Sequence, residues 1–499
     1  MDIQITPLTF AIALLALVHS HHSTIFAQGA LTPPGAPAPT MKTLDQLEPR
    51  TPISALPFTI STRGSYYLTG SFTATADGPA ITVSVDNVTI DLNGFTLSGG
   101  FAGTRTGIQA PASQKGLCVR NGLLTGWTNS AIGGQFVSGG VYENLRFVGN
   151  SVTRALRTGT NATVRGCLAT GQSNTNAITS TLALGAGSTI SDCAISGNNN
   201  AGLSVDNDCT VVNCTVSENG ADGIDAGLNC SIEHCTTSFN AGSGIATGNS
   251  CTVAHCTASS NTTTGISAGA HSNIQTCTTS ANGGSGVAVS VNCSIENCTA
   301  SGNTGHGVST GTSSTVANCT TSANGGNGLV AGSQSTVVHC AASGNTSGYG
   351  ILATDDSTIT DCTTTANSVG MRAVNGCTIT RCTVSKNSFD GLLATSRCHV
   401  TGCSFENNDT TITTGPGGIT LNGGGNRIDS NHFAANNYAG LVANAPGSLI
   451  IRNTFSGAQY IVIPGNVVGP TVDLSVSGGT ISSASGNPGT NPWANIMQP

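Results

Sequence analysis

Charge is what this 499-residue chain has least of: Asp, Glu, Lys and Arg together make up 8% of it, and aromatic residues only 4%. Sixteen basic residues against 23 acidic ones give a net charge of -7, which leaves no basic patch and argues against nucleic acid as a partner. With 13 Phe, 6 Tyr and 2 Trp, a large core of the usual aromatic-rich kind is excluded as well. No long apolar run follows residue 18, so no membrane span is expected in the mature chain. Glycine is plentiful at 66 residues, but it does not recur every third position, which excludes collagen. Simple disorder fits poorly with 38% hydrophobic residues and so little charge.

What is present begins with an eleven-residue apolar run, Leu8 to Val18, followed by small residues at Ala27 and Gly29. That is the length of a secretory h-region and too short for a bilayer, although Asp2 replaces the usual basic n-region. The expected organisation is a signal peptide at 1–29, a Pro-rich linker at 30–40, an N-terminal cap at 41–79, a repetitive body at 80–470 and a C-terminal cap at 471–499. The expected location is extracellular or in the cell envelope.

A repeat dominates the body, and its period decides the fold. Cys193, Cys214, Cys235, Cys256, Cys277, Cys298, Cys319 and Cys340 are 21 residues apart, and Cys362, Cys382 and Cys403 continue the series with slips of one. Five residues after each stands an Asn, from Asn198 to Asn408, and four beyond most of those a Gly followed by an aliphatic residue, as in Gly223-Ile224 and Gly286-Val287. The regular stretch runs from about 192 to 408. Each unit holds three short alternating stretches separated by polar turns, the pattern of three strands per coil. One unit alone has too little apolar surface to fold, whereas stacked coils bury continuous columns. The predicted fold is therefore all-β: a right-handed parallel β-helix, a three-sided solenoid of about 21 residues per coil and about 18 coils. Asn is expected at a turn that needs the left-handed conformation, bonding to its neighbours above and below, and Gly at a corner with no room for Cβ.

The 19 Cys read as small inward-facing residues, because a second column, Cys209, Cys230, Cys251, Ser272, Cys293, Ser314, Ser335, Ser357, Cys377, Cys398, exchanges Cys for Ser freely. Buried free thiols are favoured over scattered disulfides, and a metal chain along the column comes last.

Pro52 to Gly100, with "FTISTRGSYYLTGSF" and "AITVSVDNVTIDLNGFTLSG", together with the repeats and the ending "NPGTNPWANIMQP", resembles the right-handed β-helix proteins of the pectin-lyase-like superfamily. The resemblance covers most of the mature chain and implies the fold. It does not imply one reaction, since the superfamily holds lyases, hydrolases, epimerases, tailspikes and adhesins.

Catalytic candidates are few. A polygalacturonase-like site would need paired carboxylates and a nearby His. Gly305-His306-Gly307 and Asp355-Asp356 are similar to two of that family's segments, but in reversed chain order and without the other two. His306 is expected to be a solvent-exposed turn residue. Pectate-lyase chemistry would need carboxylate ligands for Ca²⁺ beside a basic residue, and Asp206, Asp208, Asp222 and Asp225, in two adjacent coils, form the best acidic cluster. No Lys or Arg shares those coils. His234, His255 and His339 precede ladder Cys residues in a polar turn column also filled by Asn213, Thr276, Asn297 and Asn318. A metal site there competes with the favoured reading, a plain turn.

The most regular exposed feature is a T-x-S face: Thr215, Thr236, Thr257, Thr278, Thr299 and Thr320 beside Ser217, Ser238, Ser259, Ser280, Ser301 and Ser322. Trp127 and Trp493 both lie outside the regular coils, so the repeats offer no aromatic platform for a sugar. The favoured function is non-catalytic contact with an extracellular polysaccharide or cell-surface polymer, with no cofactor expected; a weak Ca²⁺ site at the acidic cluster is the alternative to ordinary solvated turn residues. A polysaccharide lyase or hydrolase is the alternative, its site placed where the repeat breaks, in the coils from Arg105 to Arg157 or the insertion from Asp409 to Gly418. Ice binding by the T-x-S face is a third reading.

Overall fold

The computed structural model describes residues 49–151, 154–173, 180–410, 417–457, 459–474 and 491–498. The expected signal peptide, the linker and the short Met41-Leu44-Leu47 pattern lie outside the described residues. The chain divides into Met1–Pro49 and Arg50–Pro499, and the described strands all belong to the second unit.

Every element among the described residues is a β-strand, and the strands stack in parallel register from coil to coil. Three faces result. The first carries the G-[ILV]-x-A stretch, as in Ile224–Ala226, Ile245–Thr247 and Ile266–Ala268, and counts 19 strands from Phe58–Ile60 to Tyr460–Val462. The second carries C-x-[VI]-x, as in Thr210–Val212 and Ser231–Glu233, and the third C-T-x-S, as in Thr215–Ser217 and Thr236–Ser238. The second and third merge where Cys118–Thr125 and Val141–Val148 run round the corner as eight-residue strands. Nineteen coils replace the 18 expected, because stacking begins before residue 80: Thr51–Ile53 already pairs with Tyr66–Leu68. At the far end Asn495–Gln498 adds a strand beside Thr454–Ser456 and Thr471–Asp473, so part of the expected cap is itself coil.

Alternation sets what is inside. In Thr215–Ser217 the central Val216 is buried while Thr215 is exposed and Ser217 half-buried, and the same pattern recurs in Thr236–Ser238 and Thr278–Ser280. Ile224, Ile245, Ile266, Val287, Val308 and Leu329 stack one above the other, each essentially inaccessible. The Cys columns are free thiols, 18 buried and only Cys118 partly exposed. Each buried thiol donates to nearby carbonyls: Cys235 Sγ lies 3.2 Å from Glu233 O, and Cys251 Sγ 3.2 Å from Gly227 O. Ser335 Oγ and Ser357 Oγ make the same kind of bond, which explains the Cys/Ser exchange. Burial pushes the Cys293 thiol up, and at Cys340 hydrogen bonding with Cys319 and Cys362 adds to burial in the same direction. Beyond the insertion Asn takes over the slots, Asn426 following Cys398 and Asn431 following Cys403.

The Asn ladder is real, but its backbone role differs from the one expected. Asn240 Nδ2 donates to Asn261 Oδ1 at 2.9 Å and to Val216 O at 3.0 Å, while its own N–H donates to Asn261 Oδ1 at 3.1 Å. The left-handed residue is the one before it: Glu218, Phe239, Ser260 and Ala281 have φ of 54–56°, and the ladder Asn residues are not among the positive-φ positions. The preceding residue makes the bend, so that the Asn that follows can point inward and run its amide along the axis. The ladder also extends beyond the repeat, through Asn150 and Gln172 at one end and Asn436 at the other. Gly286 behaves as expected: a Cβ there would sit 2.7 Å from Gly307 O and 2.8 Å from Asn303 Nδ2.

Candidate functional site

The predicted site residues are not brought together. Asp225 points outward from the first face, between Ser204 of the coil below and Ala246 of the coil above. Burial raises its carboxyl above the ordinary value, and the charge of Asp222 adds to the rise. Asp222 Oδ1 accepts the N–H of Ser243 at 2.6 Å, a turn bond, and Asp208 Oδ1 accepts from Asn229 Nδ2 at 3.1 Å. Closeness in sequence spreads these acids around the coil: Asp222 precedes the first-face strand, Asp225 sits within one, and Asp208 occupies the left-handed corner before the second face. Among the described residues no three His, Cys, Asp or Glu side chains are grouped to hold a metal ion.

His306 is half-buried rather than exposed. Its Nδ1 accepts the N–H of Asn327 at 2.9 Å, and its own N–H donates to Ser285 Oγ at 3.2 Å. Burial lowers its pKa, so the ring serves as a neutral acceptor that stitches coils together. Asp355 Oδ1 accepts two bonds from Asn375, at 3.1 and 3.0 Å, and Asp356 is a left-handed corner residue with φ 55°. These acids follow a first-face strand two coils beyond the one His306 precedes, which removes the grouping that a hydrolytic site would need.

The side chains that do converge lie in the early, irregular coils. Outward positions on the first face run Gln109, Gly133, Arg157, Ala183, Ser204 and Asp225, one per coil. Small Ala183 and Ser204 follow the long Arg157, and over them the surface sinks. A cleft of 380 Å³ opens there, lined by Gln135, Arg154, Arg157, Thr158, Ser204 and Asp206 among others. A smaller recess beside it shares Gln135, Arg154 and Arg157 and adds Gln109, Asn129 and Ser130. Arg154 is half-buried, and its Nε is enclosed without a hydrogen-bond partner. Burial lowers its pKa, and the nearby charge of Arg157 lowers it further. Neither guanidinium is among the ion pairs of the described residues. Arg105, by contrast, is spent on structure, donating to Ala74 O at 2.7 Å and Gly99 O at 2.8 Å. The break in the repeat points to this stretch but not to the pair itself. The usable signal was the R-A-L-R spacing flanked by Gly133 and Ala183.

The T-x-S rows are in register as expected. Thr236, Thr257, Thr278, Thr299 and Thr320 face one another in successive coils, beside Ser238, Ser259, Ser280, Ser301 and Ser322.

A family model described as "Right handed beta helix region" matches residues 80–252, 246–378 and 368–485. No curated protein matches the chain. Among solved structures, the A-module of a mannuronan C-5 epimerase from Azotobacter vinelandii is similar at 12% identity and a TM-score of 0.27, over 88% of this chain and 91% of that one. The receptor-binding domain of the siphovirus 9NA tailspike is similar at 11% identity and a TM-score of 0.30, over 86% and 79%. The tailspike of the E. coli bacteriophage HK620, solved with a pentasaccharide, is similar at 14% identity and a TM-score of 0.31, over 87% and 72%. Superpositions this loose carry no argument about substrate. The family match, spanning most of the chain, agrees with the three-faced parallel stack and supplies its hand: the protein belongs to the right-handed β-helix family.

Proposed function

We propose that this is an exported β-helix protein that binds an acidic extracellular polysaccharide without turning it over, and that the cleft around Arg154 and Arg157 is the contact. The observation that carries the reading is the pair of adjacent guanidiniums, without carboxylate partners, in a polar cleft on the first face. A guanidinium matches a carboxylate in a two-pronged hydrogen bond, and two neighbouring guanidiniums, one of them half-buried, with Asp206 as the one acid in the cleft lining favour an external anion. Gln109, Gln135, Thr158 and Ser204 supply the neutral donors and acceptors that sugar hydroxyls require. The cleft lining includes one carboxylate, Asp206, whereas a hydrolytic site requires two across the scissile bond. The T-x-S rows add weak contacts that repetition strengthens along a polymer.

The test is a titration with polygalacturonate oligomers against neutral dextran oligomers at low and high salt. Uronate binding that weakens with salt is expected, with Arg157→Ala and Arg154→Ala each losing about 10–100-fold, the range for hydrogen bonds to charged groups. Equal binding of the neutral glucan, or unchanged variants, overturns the reading. A second reading, lyase chemistry at the same cleft, draws support from the lowered pKa of Arg154, a basic group beside bound uronate. Accumulation of unsaturated uronides, lost in Arg154→Ala, would favour it over simple binding. Export is tested by sequencing the N-terminus of the secreted chain, with cleavage near Gly29 as the expected result.

A further inference from the structure

We propose that His234 and His255 together bind one divalent transition-metal ion, of the copper(II) and zinc(II) class, on the corner between the second and third faces. The site is separate from the Arg154–Arg157 cleft and does not depend on it.

The backbone aims both rings the same way. Each residue sits at the single left-handed position between a second-face and a third-face strand, with φ 54° in both. The flanking strands are in parallel register, Glu233 opposite Ala254 and Thr236 opposite Thr257, so the two bends are superposed one coil apart. The imidazoles emerge stacked, with centroids 4.9 Å apart and planes 14° from parallel. Both residues are exposed, and neither ring has a hydrogen bond or ion pair among the described residues.

The other occupants of this column are committed or lack nitrogen ligands. Asn213 donates to Asp192 at 3.3 Å, and Thr276 offers only a hydroxyl. His339 lies 3.6 Å from Asp361, which also binds Arg381. Only at 234 and 255 do two imidazoles stand in consecutive coils. Ligating nitrogens on one ion, each about 2.0–2.1 Å from it, are no more than about 4.2 Å apart. Stacked rings at 4.9 Å reach that separation by tilting their edges together, which exposed side chains are free to do. Glu233, the next outward residue, is held by Ser231 Oγ at 2.8 Å. The protein therefore supplies two ligands and water completes the shell. Imidazole suits copper and zinc, and copper(II) heads the divalent affinity order.

Equilibrium dialysis of the full chain with Cu²⁺ alone, then with Zn²⁺ alone, tests this. Asn occupies the same bend at 213, 297 and 318, so His234→Asn/His255→Asn preserves the backbone, and His234→Thr/His255→Thr, which copies the natural occupant Thr276, is the second choice. The double variant is expected to lose one Cu²⁺ equivalent, and His234→Asn alone to bind that equivalent about tenfold more weakly or worse. His271→Asn/His339→Asn and a triple His19→Ala/His21→Ala/His22→Ala variant are expected to keep it. Two-nitrogen hyperfine structure in the electron paramagnetic resonance of the bound copper should vanish with the pair. Unchanged stoichiometry and spectrum in both folded double variants would overturn the proposal.

Discussion

The regular coils of residues 193–408 and the irregular coils of residues 105–185 use one architecture for opposite ends. In the regular coils several columns stack like on like: Cys on Cys, Asn on Asn, Thr on Thr. From Ala246 through Ser267 and Ala288 to Ser309 the outward positions on the first face are small and even, before Val330, Leu352 and Arg372 follow. In the early coils the same column alternates Gln109, Gly133, Arg157 and Ala183, and a cleft opens. Their core differs too, packing Trp127, Tyr142 and Phe147 where the regular coils use Cys, Val, Ile and Ala. A repeat supports itself by matching neighbours, but matched neighbours leave no concavity. In this molecule the departures from the repeat create the recess in which unlike side chains meet.

Disrupting the ladder gives the largest expected effect on the regular coils. Asn282 donates to Asn303 and Ala258 and accepts two bonds from Asn261, so Asn282→Leu should cost about 2–4 kcal/mol in denaturant unfolding. A cost below about 1 kcal/mol would show that stacking of identical amides is not what holds these coils.

Asp390 probes the place where the repeat breaks a second time. Burial raises its carboxyl to about 6; the bond from Thr420 Oγ1 lowers it and the charge of Asp409 raises it. A carboxyl raised on folding contributes stability that is fully present below about pH 4 and is lost as pH rises through about 6. Asp390→Asn should therefore stabilise by on the order of 1–3 kcal/mol at pH 7.5, and the gain should disappear at pH 4. A pH-independent difference in melting temperature would refute the assignment.

Two glycines, one in each region, contrast a crowded position with an open one. Gly286→Ala drives a methyl against Gly307 O and should cost about 1–3 kcal/mol. Gly139, in an early coil, has a left-handed φ of 66° but open space around it, so Gly139→Ala should cost only about 1 kcal/mol, the conformational strain alone. Equal losses in paired melts would mean that the close approach of Gly307 O to position 286 carries no cost.

The smallest effect is expected at the thiols. Cys298→Ser keeps a donor for the carbonyl of Glu296 at 3.3 Å and should change stability by less than about 1 kcal/mol. Under native conditions an aromatic disulfide reagent should titrate Cys118 alone, and all 19 thiols only after denaturation.

Much of the fold was legible because the period brings spatial neighbours to a fixed separation in the chain. The carbonyl of Cys214 accepts the N–H of Thr236 in the next coil just as that of Cys235 accepts the N–H of Thr257, and one alignment of the repeat against itself reveals both. The left-handed corner was assigned one residue late, since Asn suits both the bend and the buried ladder and only φ at Glu218 and Phe239 separates the two roles. The ladder ends at Asn150 and Gln172 were missed because unequal coils shift them out of phase. The acidic candidates lie apart for a related reason: residues sixteen apart, such as Asp206 and Asp222, are placed around a coil by turn geometry that spacing does not encode.

The sequence by itself determined the coil length, the inward and outward positions, the Asn and Cys columns and the T-x-S rows. In a solenoid each of these is a contact between a residue and its counterpart one period away, so periodicity is already three-dimensional information. Only the tertiary structure decided that Arg154 and Arg157 share a cleft with Asp206, that His306 is tucked between coils, and that two imidazoles stack at one bend without partners. Those facts depend on the paths of particular turns and on which neighbours leave room, and a repeat carries no record of its own exceptions.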